Sequence, residues 1–93
     1  MAHTTKDKKK LLNRVRRIRG QIDAIERLLD EESEDCALVL QTIASCRGAI
    51  NGLMAEVIEG HIRHHVIVPG SPSNTKQSEA AEELIEVVNR YLK

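Results

Sequence analysis

Apolar residues in the first third of the chain recur at alternating steps of four and three: Leu11, Val15, Ile18, Ile22, Ile25 and Leu29. That spacing is a heptad seam, and it commits the segment to a helix that packs lengthwise against another helix. It predicts a helix from about Thr5 or Lys6 to Asp30, with Leu12 and Leu28 widening the stripe and Thr4 or Thr5 as its cap. The same rhythm returns as Cys36, Leu40, Ile43, Arg47, Ile50, Met54, Val57 and His61, then His64 or His65, predicting a second helix from Cys36 to Val66 with Met54 in its core. The acidic run between the two ends one helix and opens the next, with Ser33 or Asp35 as cap. Pro69-Gly-Ser-Pro-Ser-Asn is a turn or linker. A third helix is expected from about Ser78 to Leu92, with Ala81, Leu84, Val88 and Tyr91 apolar and Ile85 and Leu92 beside them. Short loops make neighbouring helices antiparallel. The fold class is all-α: a three-helix protomer forming one domain over residues 1–93, with no strand and no helix-turn-helix.

A protomer of this kind is short of core. The 93 residues include no Trp, no Phe and a single aromatic, Tyr91. A chain so small buries a modest share of its surface, so stability has to come from a bridge, a metal or a second copy. Cys36 and Cys46 are too few for a disulfide scaffold, which leaves self-association as the first expectation. Gly48 and Gly52, mid-helix, point to close approach of another backbone. No apolar run nears the roughly 20 residues of a membrane span, and the start, MAHTTKDKKK, carries no apolar stretch of a signal peptide. The compartment expected is the reducing cytoplasm. No phosphate loop, nucleophile elbow or zinc-protease motif is present, so an enzyme is not expected.

The formal charge is zero, but its distribution is lopsided. Residues 1–19 carry eight Lys and Arg against Asp7, while residues 20–35 carry seven acids against Arg27. A charge run is ordinarily a solvated helix face. Eight bases in nineteen residues of a charge-balanced chain instead favour a polyanion, of which the DNA backbone is the commonest.

His61 and His65, four apart, stack on one helix face and can chelate one metal, with His64 as the alternative at three. Cys36 shares their stripe but lies 25 residues earlier, roughly 37 Å along a helix. One chain does not close that gap; two do. If the second helix pairs antiparallel with its copy about a two-fold axis, setting Cys36 opposite the other chain's His61 puts the axis between the small residues Gly48 and Ala49. Register, small residues and a thiolate beside an imidazole pair then agree on two identical intersubunit sites. His3, on the N-terminal arm beside Ala2, is a fourth ligand candidate. Cys46, one step off the seam, is structural, and His64 is expected to face solvent.

These residues resemble the CsoR/RcnR family of bacterial metal- and aldehyde-sensing repressors over essentially the whole chain. The resemblance rests on Arg14-Val-Arg-Arg-Ile-Arg-Gly-Gln21, Cys36, Arg47-Gly-Ala-Ile-Asn-Gly-Leu-Met54, His61 and His65. It implies an antiparallel helical-bundle dimer built on the second helix and a dimer-of-dimers tetramer. It also implies a repressor that holds operator DNA when apo and lets go when its effector binds. The ligand set His3, Cys36, His61 and His65 is similar to that of the nickel/cobalt-sensing branch, which implies Ni(II) or Co(II) as effector, with Zn(II) chemically possible. A second thiol, needed for Cu(I) or persulfide sensing, is missing at His65 and at His61 respectively. Arg14–Gln21 and Asn51–Glu56 resemble the formaldehyde-sensing branch, in which Cys36 would react with the N-terminal amine of residue 2, here Ala2. Operator contacts are assigned to Arg14, Arg16, Arg17 and Arg19, then Lys9 and Lys10, with sequence read partly through DNA shape.

Overall fold

The computed structural model describes residues 5–32, 34–66 and 75–93. Three α-helices follow one another: α1 (Thr5–Asp30), α2 (Cys36–His61) and α3 (Thr75–Leu92). A π-helical turn, Ile62–Val66, continues α2 without a break, so the long second helix expected over Cys36–Val66 is present with its last turn rewound. Ile62 keeps a helical backbone at the junction, its N–H directed to the carbonyls of Glu59 and Ile58. α3 starts three residues before the expected Ser78.

The turn between α1 and α2 is built by acidic residues. The backbone N–H groups of Glu31 and Glu32 donate to the carbonyls of Arg27 and Leu29, closing the end of α1. Glu32 takes a positive φ of 51°, a conformation that usually goes to glycine at a helix end. Asp35 caps α2, its Oδ1 accepting from the Leu38 N–H at 3.0 Å. Ser33, the other cap candidate, lies outside the described residues, as does the Pro69–Asn74 linker.

α1 and α2 form an antiparallel hairpin whose rungs are polar. Gln21 Nε2 donates to Ser45 Oγ at 2.9 Å. Further along, Arg14 meets Glu56 at 2.8 Å, and Asp7 lies 3.8 Å from His64 Nε2. The residues buried in the hairpin are Ile18 on α1 and Cys46, Gly52 and Ala55 on α2. Burial of Cys46 agrees with its structural assignment. α3 folds back along the end of α2, where Ile62, Ala81 and Ile85 form a small core with Ile58 against it. Burying an Ile side chain contributes roughly 1.5–3 kcal/mol, so this patch anchors α3. Arg63 pairs with Glu82 at 2.8 Å and Asn89 Nδ2 donates to Glu59 Oε1 at 3.3 Å around it.

The covered stripes differ from those expected. On α3 the buried row runs through Ala81 and Ile85, whereas Leu84 and Tyr91 face outward, Tyr91 being 75% exposed. On α1, Ile22 and Leu29 are exposed although both lie on the predicted seam. The reason is that one partner helix covers only one side of a wide apolar stripe. Met54, expected in the core, is exposed in the protomer, along with Leu40, Ile43 and Ile50 of the same seam.

The molecule measures 59 × 26 × 11 Å. Its shortest dimension is about one helix diameter, so the helices lie in a single layer. The accessible surface is 7042 Å², against about 5,400 Å² for a compact monomer of this mass.

Candidate metal site and nucleic-acid interface

The end of α2 carries the imidazoles. The rings of His61 and His65 lie with centroids 4.9 Å apart, tilted by 33°. Both residues are exposed. Four-residue spacing brings them together even though His65 belongs to the π-helical turn. Two neighbouring imidazoles facing out of the layer suit a borderline divalent metal, but a closed site needs further donors. Cys36 is a free, exposed thiol at the first residue of α2, the opposite end of a 26-residue helix. The fold therefore brings His61 and His65 together and does not bring Cys36 to them. Among the described residues of one chain, no three Cys, His, Asp or Glu side chains converge as a metal site. His3 and Ala2 lie outside the described residues.

His64 departs from the solvent-facing position expected of it. It is half-buried, with Nε2 3.8 Å from an Asp7 carboxylate oxygen. The π-helical turn swings it toward the start of α1, on the side away from a freely solvated helix face. Around it, Asp7, Lys10, Glu56, Glu59, Arg63 and Lys93 line a cavity of about 210 Å³ between the start of α1, the end of α2 and Lys93.

The basic face occupies the first half of α1. Lys9, Arg16, Arg17 and Arg19 are exposed, and Arg16 Nη1 donates to Asn13 one turn away at 3.2 Å. These side chains are open to solvent on the surface of α1. Arg14 is placed differently. Its Nη2 is 2.8 Å from Glu56 Oε1, and Lys10 Nζ is 3.7 Å from the same oxygen. The guanidinium lies over Gly52, with Nη1 only 3.2 Å from where a Cβ would stand. Gly52 thus admits a side chain, and the close backbone neighbour expected for it is not what occupies its space. Gly48 has nothing within 4 Å. Neither the heptad seam nor the charge asymmetry singles out Glu56. The available signal was the pairing of two i, i+4 sets, Lys10 with Arg14 and Gly52 with Glu56, on facing helices.

Arg47, the charged member of the α2 seam, is exposed. Among the described residues, no helix is long and apolar enough to cross a membrane.

Known proteins resemble this chain along its length. The family described as metal-sensitive transcriptional repressors matches residues 7–90. The transcriptional repressor RcnR of Escherichia coli (strain K12) is 45% identical over 93 residues, covering 100% of both chains. A Serratia marcescens protein, described as uncharacterized and in the bioA 5' region, is 48% identical over the same 93 residues, again covering 100% of both. Among solved structures, a glutamate-to-histidine variant of the formaldehyde-responsive regulator FrmR from Salmonella enterica serovar Typhimurium superposes with a TM-score of 0.66. It is 44% identical, with 98% of this chain and 99% of that chain covered.

Proposed function

The chain belongs to the CsoR/RcnR family of metal-sensitive transcriptional repressors, which are regulators and not enzymes, and from that premise we propose that it represses by binding operator DNA when apo and is released by Ni(II) or Co(II) held between two subunits. The observation that carries the reading is the outward-facing pair His61 and His65, 4.9 Å apart at one end of α2, with the exposed thiol of Cys36 at the other. An antiparallel pairing of two α2 helices places each thiol beside the other chain's imidazoles. The α2 seam is suited to that pairing: Leu40, Ile43, Ile50 and Met54 are exposed, and no atom among the described residues lies within 4 Å of the space above Gly48. The excess surface of a single helical layer points the same way, to a homodimer and a homotetramer.

His61, His65, Cys36 and His3 supply imidazole nitrogens and one thiolate, a donor set that suits Ni(II) or Co(II) and also admits Zn(II). The ligands bind deprotonated, so metal affinity falls as the solution is acidified. His3 lies only a few residues before the basic face of α1. Tying it to the seam reorients that face, and a coupling of about 1–3 kcal/mol is enough to empty an operator. Lys9, Arg16, Arg17 and Arg19 are the phosphate contacts, with Lys10 and Arg14 joining them. The repressor acts in the cytoplasm.

The likeness to a formaldehyde-responsive regulator favours a second reading. Formaldehyde carbon bonds to Cys36 Sγ and to the α-amine that Ala2 presents once Met1 is removed, forming a methylene bridge, and its oxygen leaves as water with one proton from each group. The test for both is a mobility-shift assay on the chain's own upstream DNA at fixed salt. The protein is run apo, then with Co(II), Ni(II), Zn(II) or formaldehyde. Release by Co(II) or Ni(II) supports the first reading, and release by formaldehyde alone supports the second. Failure to shift DNA under any condition removes the repressor assignment for these residues.

A further inference from the structure

We propose that Glu56 is an internal counter-anion that holds Lys10 and Arg14 against α2 and so limits how tightly α1 grips DNA phosphates. The inference rests on the reading of α1 as the DNA-binding face and adds a residue that opposes it.

Three features converge on one point of the hairpin. Glu56 is only 12% exposed in its side chain, and its Oε1 receives Arg14 at 2.8 Å and Lys10 at 3.7 Å. Lys10 and Arg14 are one turn apart on α1, so both ammonium and guanidinium reach the same carboxylate. Gly52 and Glu56 are likewise one turn apart on α2 and form a cradle: the guanidinium lies over the glycine and its Nη2 points to the acid. Glycine is the poorest helix-interior residue after proline, yet here it is buried inside a 26-residue helix. Among the described residues, the atom nearest its missing Cβ belongs to Arg14.

The consequence for binding follows from charge. Lys9, Arg16, Arg17 and Arg19 are exposed, and none of them has to give up Glu56 to meet a phosphate. Arg14 keeps 30% of its side chain exposed and must exchange a carboxylate for a phosphate. Glu56 also lies 2.8 Å from Arg14 and 3.7 Å from Lys10, inside a Debye length of about 8–10 Å, and repels a phosphate that approaches these two bases. Affinity is therefore held below what eight bases would give. A repressor that has to let go of DNA benefits from that restraint.

The test is fluorescence anisotropy across a salt series, using the full-length protein with a duplex from its own upstream DNA and a scrambled duplex. Glu56→Gln keeps the shape and removes the charge. It is expected to tighten binding to both duplexes by about fivefold, the scale of a freed surface ion pair. The slope of log K against log salt steepens by about 0.9 for each further phosphate engaged. Adding Arg14→Ala and Lys10→Ala to Glu56→Gln abolishes the gain. An Arg17→Ala control separates the two readings. If Arg17→Ala weakens binding while Glu56→Gln leaves affinity and slope unchanged, the counter-anion role is overturned and the DNA face stands. If Arg17→Ala binds as the parent does, the DNA face itself is overturned.

Discussion

At the residue scale, three neighbouring histidines have different surroundings. His61 and His65 face each other and solvent, whereas His64 turns toward Asp7 at the start of α1. The separation comes from the winding of the chain: i and i+4 share a face, and i+3, in the middle of the π-helical turn Ile62–Val66, swings off it. His61→Ala and His65→Ala are expected to weaken Co(II) or Ni(II) binding by more than the 10–100-fold typical of an outer-shell change, with DNA binding kept. His64→Ala should leave the number of metal ligands unchanged. Metal titration followed by the ligand-field bands of Co(II) checks both, and a loss of intensity in His64→Ala equal to that in His61→Ala would move the site by one residue.

Among elements, the docking of α3 is decided by a few apolar atoms and not by its ion pairs. Ile62, Ala81 and Ile85 form the small core between α3 and the end of α2. Arg63 and Glu82 lie at its edge, both substantially exposed. Ile85→Ala is expected to cost about 2–5 kcal/mol, since a cavity there has few neighbours to fill it. Arg63→Ala should cost about 1 kcal/mol or less. Hydrogen exchange over Thr75–Leu92 reads this directly: protection collapses in the first variant and survives in the second. The hairpin of α1 and α2 is held differently, with Gln21–Ser45 and Arg14–Glu56 setting the register of two helices whose buried residues are few.

For the whole molecule, thickness is the deciding quantity. A layer 11 Å deep has no second layer to cover its apolar face. Leu40 is 60% exposed, and Ile43, Ile50 and Met54 continue the same exposed row. Leu40→Glu disturbs little packing within the protomer, yet it is expected to halve the assembled mass or more, because it puts a charge on the seam proposed to pair α2 with its copy. Sedimentation velocity measures this. An unchanged mass would mean that assembly uses another face.

The heptad spacing determined, without any coordinates, that the chain is helical, how long α1 and α2 are, and that α2 carries a stripe too long for its own fold to cover. Local physics sufficed, because helical periodicity and capping depend on neighbours in sequence, as at Asp35 before α2. Composition and spacing also singled out His61, His65, Cys36 and the basic face of α1. Other features needed the tertiary structure. Which side of a wide stripe is covered depends on where the partner helix lies, so Ile85 is buried while Leu84 is not. Arg14, grouped by sequence with its exposed neighbours, turns inward because Gly52 leaves room and Glu56 supplies a charge from 42 residues away. Periodicity is blind to such pairings, since they depend on the register between two helices and not on the pattern within either one.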